Sequence, residues 1–168
     1  MKLSKLVRAM FAAAMPLYAN SQAMATSFKV ELMLGMHALG TTVTRGATTA
    51  DTVKAALYVA TATISAATTA YSATNEVSGT GYTAGGATVT NATAPTSTGT
   101  TAFWTPSASV SWSTVTLATS FDCVLFYNST QSNRAMSSHT FGAQTVTAGN
   151  FSLTMPTNDA TNGLLRIA

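Results

Sequence analysis

A single run, Phe121-Asp-Cys-Val-Leu-Phe-Tyr127, dictates much of what this chain can become. It is short, apolar, aromatic and β-branched, and Asn128-Ser129-Thr130 closes it like a turn. A run so bounded reads as a buried strand. From about Val53 to the C-terminus the rest reads as short strands and polar turns packed around it. Ala87–Ala92, Thr101–Trp104, Ser109–Leu117, Ala135–Phe141, Gln144–Thr147, Phe151–Met155 and Leu164–Ile167 are further candidates, separated by Gly, Pro, Asn and Ser. Val110, Trp112, Val115 and Leu117 give one of them a partly alternating face, as do Phe151, Leu153 and Met155. Many short strands at this spacing indicate a sandwich, jelly roll or barrel.

Two stretches ahead of that series are less plain. Thr52–Ala60 is Ala-rich with Asp51 placed to cap a helix, yet Leu57-Tyr58-Val59 favours a strand. Thr68–Gly86 holds four glycines in eight residues, which makes a loop with positive-φ corners pinned by Tyr71, Val77 and Tyr82.

Charge narrows the function classes. Charged residues are 8 % of the 168, against about 25 % in ordinary domains. Ser and Thr replace them, which suits a protein held in an assembly. The net charge of +3 belongs to Lys2, Lys5 and Arg8; beyond residue 23 five cations meet five acids. No basic cluster marks a nucleic-acid partner. No apolar stretch reaches the ~20 residues of a membrane span. Cys123 is the one cysteine, so no intrachain disulfide is available, and inside the central strand it reads as a small core hydrophobe.

Residues 1–23 have a basic start, an apolar middle from Ala9 to Ala19 and the small-residue site Ser21-Gln22-Ala23. That pattern fits a secretory signal. A retained arm, or a true start at Met24, fits the same residues. Phe28, Val30, Leu32 and Leu34 alternate as an edge strand would. Gly35–Asp51 has no period and reads as an extended arm or linker. His37 stands alone there, far in sequence from His139, and metal ligation needs partners at ligand spacing.

The chemical motifs dissolve on inspection. Gly79-Thr-Gly-Tyr-Thr-Ala84 copies a dinucleotide fingerprint without the preceding strand, following helix or later acid. The five carboxylates are scattered and unpaired. No nucleophile elbow surrounds any serine. The aromatics Tyr58, Tyr71, Tyr82, Trp104 and Trp112 read as core or interface residues, with a sugar-binding platform as the alternative. The residues therefore indicate no enzyme, no catalytic residue, no cofactor and no metal.

Thr68–Gly86, Phe126–Ala135, Ala148–Phe151 and Asn158–Ala168 together resemble small structural proteins of tailed bacteriophages. The resemblance covers about Lys54 to Ala168. It implies a virion component assembled in the host cytoplasm, with a sandwich or jelly roll that decorates or cements the capsid. The implied partners are the major capsid protein and copies of the chain itself, as a homo-oligomer in the particle. The whole expectation is an all-β protein, a single β-sandwich or jelly roll over 52–168. An extended N-terminal arm precedes it, a leader or arm over 1–23 and a linker over 24–51. Candidate partner contacts are Phe28, Val30, Leu32, Leu34 and Tyr82. A receptor- or glycan-binding module, in a phage tail or secreted, is the second reading.

Overall fold

The structure, a computed structural model, describes residues 20–25, 28, 32, 35–41, 50–90, 93–99 and 101–168. Among these residues the strands are β1 (Ala23–Met24), β2 (Val53–Val59), β3 (Ala87–Thr88), β4 (Thr96–Thr98), β5 (Thr101–Trp104), β6 (Val110–Asn128), β7 (Arg134–Leu153) and β8 (Leu165–Ile167). They form two antiparallel sheets, one ordered β1-β7-β6-β2-β3 and the other β4-β5-β8. The chain is all-β in architecture, as its alternation and turn chemistry predict.

The run Phe121–Tyr127 is the inner end of β6, flanked by β2 on one side and β7 on the other. Phe121, Cys123, Val124, Leu125, Phe126 and Tyr127 are all buried. The pairing puts Val124 and Phe126 on one face with Leu57 and Ala55 of β2 and with His139 and Ser137 of β7. Cys123 and Tyr127 share the other face, where Tyr71 stacks on Tyr127 at 4.7 Å. Trp112, Val124 and Phe126 belong to one apolar core. Burial pushes the Cys123 thiol up to about 12, the behaviour of a core residue rather than a reactive one.

The strand reading of Thr52–Ala60 is correct, because β2 pairs without interruption from Val53 opposite Asn128 to Tyr58 opposite Cys123. Several expected breaks are not breaks. Ser109–Leu117 and Phe121–Tyr127 are one strand of 19 residues, and the three candidates between Ala135 and Met155 merge into one of 20. Ala118-Thr-Ser120 and Phe141-Gly-Ala143 lie where the β6–β7 register shifts. Small side chains let the ladder bulge and continue rather than end.

The expected extended arm over 24–51 is corrected by its described residues. Ala25, Phe28, Ala38 and Leu39 are buried against the body. Phe28 and Leu32 have helical backbone, not the strand their alternation suggests. The short β1, just before them, already takes the edge of β7 at Ser137 and Ser138. Residues 1–19, where the leader readings lie, are outside the described residues, as are Val30 and Leu34.

Candidate interaction surface

The glycine-rich loop earns its composition by lying against strand edges. A Cβ on Gly81 would sit 2.6 Å from the Thr114 carbonyl oxygen of β6. A Cβ on Gly86, at φ +68°, would overlap the Ala55 carbonyl of β2. Only residues without side chains permit this approach. Thr80 bridges to Thr116, and Val77 and Val89 donate to the Leu57 and Val53 carbonyls. The loop thus covers the outer edges of β6 and β2.

Glu76 staples the loop. Its Oε1 accepts from the Tyr82 hydroxyl at 2.8 Å and from the Gly85 amide at 2.8 Å, and its Oε2 accepts from the Tyr71 hydroxyl at 2.6 Å. The Tyr82 oxygen in turn accepts from the Leu57 amide at 3.0 Å, and the Tyr127 hydroxyl donates to the Gly85 carbonyl at 2.7 Å. Burial foremost, and then the neighbouring Glu76, raises the Tyr71 and Tyr82 hydroxyls well above the usual tyrosine range. The shift favours the protonated form in which both phenols donate to Glu76.

Tyr82, a candidate contact, is therefore half-buried, tied by its hydroxyl and stacked near Trp112 at 6.4 Å. Phe28 is fully buried in the chain's own core, edge-on to the His37 ring at 4.6 Å, so it is not presented to a partner. Leu32 is partly buried against the same core. The aromatics of the sugar-platform reading do not gather on a surface, because Tyr58, Trp104 and Trp112 are buried and Trp104 belongs to the smaller sheet.

A buried polar network escapes sequence reasoning. The Asn128 side-chain amide donates to Asp51 Oδ2 at 2.7 Å and to His37 Nδ1 at 3.0 Å. Its oxygen accepts from the Thr130 and Gln131 amides, both at 3.1 Å. Asp51 also accepts from the Ala38 amide at 2.9 Å and from Gln131 Nε2 at 3.2 Å. Residues 91 apart in sequence thus fasten the N-terminal segment to the β6–β7 turn.

A second feature is a cleft of about 490 Å³ between the larger sheet and the C-terminal segment, lined in part by Phe126, Ser137, His139, Met155, Asn162 and Arg166. The Ser137 hydroxyl lies 3.1 Å from His139 Nε2. Burial lowers the His139 imidazole to about 4, so it is neutral near pH 7. No carboxylate among the described hydrogen bonds orients its Nδ1, the third part that a triad needs. The described residues also hold no group of three or more His, Cys, Asp and Glu able to bind a metal.

A third feature is the exposed outer half of the β6–β7 hairpin. Val77–Phe121 and Ala135–Asn158 contain no Asp, Glu, Lys or Arg. Along β7 from Gly142, exposed Ala143, Gln144, Thr145, Thr147, Ala148, Asn150 and Ser152 alternate loosely with the half-buried Val146, Phe151 and Leu153. This surface can offer hydrogen bonds and apolar contact, but no charge.

Comparison of the chain with known families, curated proteins and solved structures finds no match.

Proposed function

We propose that this protein is a structural component of a tailed-phage particle, a decoration or cement protein that binds an assembled capsid through protein–protein contacts. The observation that carries the reading is the uncharged, Thr- and Ser-lined outer hairpin on an all-β body. Such a surface gains little as a free, diffusing molecule and can bury against a shell without desolvating charges. Binding only the assembled state stabilises the shell by mass action. The proposal takes the two sheets to pack as a sandwich or jelly roll, as the phage resemblance implies, with the major capsid protein and further copies of the chain as partners. No catalytic step, cofactor or metal enters the proposal. Burial of the Trp104, Trp112 and Tyr58 rings tells against the glycan-binding alternative.

The test is to quantify the chain in purified particles and to add the purified chain to particles that lack it. Copy number comparable to that of the shell subunit is expected, with binding that changes little between low and high salt, since no exposed charge on the hairpin is available to be screened. A few copies per particle would place it in the tail, and absence from particles would overturn the proposal.

A further inference from the structure

Asn162-Gly163 is the one Asn-Gly pair in the sequence. In such a pair the chain can react with itself. The backbone nitrogen after the asparagine attacks the carboxamide carbon, a five-membered succinimide closes, and ammonia leaves. Water then opens the ring to aspartate or isoaspartate. Glycine favours the closure because no Cβ hinders its nitrogen. Asn162 is exposed, so water reaches it, while Gly163 beside it is buried. The hydrogen bonds of this pair oppose the reaction. Asn162 Nδ2 donates to both carboxylate oxygens of Asp159, at 3.1 and 2.9 Å. The Gly163 amide donates to the Asp159 carbonyl at 2.9 Å. Asp159 Oδ1 also accepts from the Thr161 and Asn162 amides, at 2.7 and 2.6 Å. One residue thus holds both the electrophile and the nucleophile of the ring closure. The bond from the Asn162 side chain keeps the Asp159 carboxyl below the usual carboxylate range, so the acceptor stays ionised.

We propose that Asn162-Gly163 is a self-modification site, that Asp159 holds it unreacted in the folded chain, and that its conversion unfastens β8 from the smaller sheet. Attack requires the carboxamide to leave the Asp159 carboxylate and turn towards the Gly163 nitrogen. It also requires that nitrogen to lose the proton now shared with the Asp159 carbonyl. Both contacts must open first, and the rate falls by the free energy of opening them. Conversion has a structural consequence because the segment is tight. A Cβ on Gly163 would lie 2.9 Å from the Asp159 carbonyl oxygen and 3.0 Å from Phe103 Cβ of β5. The Leu164 amide donates to Thr105 Oγ1 at 2.9 Å, and β8 then pairs with β5 from Leu165 opposite Trp104 to Ile167 opposite Ala102. Isoaspartate routes the chain through the side-chain carbon and lengthens the backbone by one methylene where there is no slack. Either product also sets a second carboxylate beside Asp159. Arg166 of β8 donates to the Ala160 and Thr161 carbonyls, so a displaced loop pulls on the strand directly. The inference rests on the C-terminal loop and not on the capsid reading, so the isolated chain tests it separately.

The experiment incubates the purified full chain in mildly alkaline buffer, folded and in urea. Position 162 is followed by peptide mapping that separates asparagine, aspartate and isoaspartate. The folded chain is expected to convert at least about tenfold more slowly than the unfolded one. Asp159→Ala removes the carboxylate that holds the carboxamide and should bring the folded rate most of the way to the unfolded rate. Asp159→Asn keeps one acceptor oxygen for the turn amides and should fall between the parent and the alanine variant. Circular dichroism checks that both variants are folded. A parent that converts as fast folded as unfolded overturns the proposal. Folded variants that convert no faster than the parent overturn it equally, by removing Asp159 from the role. Should Asp159→Ala not fold, Asp159→Asn decides; should neither fold, the parent comparison decides. The converted fraction, separated by ion exchange on its added negative charge, should exchange the Leu165–Ile167 amides faster than the parent. Equal protection there overturns the link to β8.

Discussion

Asn128 shows how one side chain can hold distant parts of the chain together. Both ends of its amide are engaged, with donors on Asp51 and His37 and the acceptor on two turn amides. Replacing it by alanine removes one of the donors to the Asp51 carboxylate, the contact with His37 and the shared acceptor of the Thr130 and Gln131 amides. Asn128→Ala is expected to cost about 1–3 kcal/mol, read as a lower urea midpoint at unchanged slope. His139 gives the second residue-scale expectation. Burial holds its folded-state value at about 4, below the 6.5 of the exposed imidazole. The unfolded chain therefore binds the proton first. Its contribution to stability is complete above pH 6.5 and is lost as the pH falls from there to about 4. Thermal midpoints should drop across that window, and His139→Gln should flatten the drop. An equal drop in the variant would assign it to other groups.

At the scale of elements, the glycine-rich loop acts as a cover for strand edges. Its fit depends on backbone approaching backbone, most closely where Gly86 meets the Ala55 carbonyl. Gly86→Ala must displace the loop or β2 and must also hold an unfavourable positive φ. A loss of about 2 kcal/mol or more is expected in chemical denaturation. Hydrogen exchange at Leu57, whose amide donates to Tyr82, should quicken with it. Stability indistinguishable from the parent would show that the loop rides loosely on the sheet. The loop was legible in the sequence because four glycines in eight residues permit little else. What it lies against was not, since the atoms a glycine makes room for belong to strands around 30 residues away in either direction.

For the molecule as a whole, the N-terminal region decides whether the β-body stands alone. Sequence pattern presents residues before Thr52 as separable, because Gly35–Asp51, which joins them to the body, shows no period and little to bury. The structure places Ala25, Phe28 and Leu39 in the common core and ties Ala38 to Asp51. Removing residues 1–51 should therefore uncover apolar core and leave Asn128 without two of its partners. Loss of cooperative unfolding, or a large fall in thermal midpoint, is the expected result by circular dichroism. A truncated chain with parental stability would return those residues to the role of a detachable arm. By itself the sequence determined the all-β class, the buried strand Phe121–Tyr127 and the strand at Val53–Val59. Alternation, β-branching and turn residues are local signals, and each acts within a few residues of where it is read. Tertiary structure alone decided that Phe28 turns inward, that three strand candidates fuse into β7, and that Asn128 meets His37 and Asp51. Those outcomes depend on which edge and which face are already occupied, a competition between segments far apart in the chain that no local pattern records.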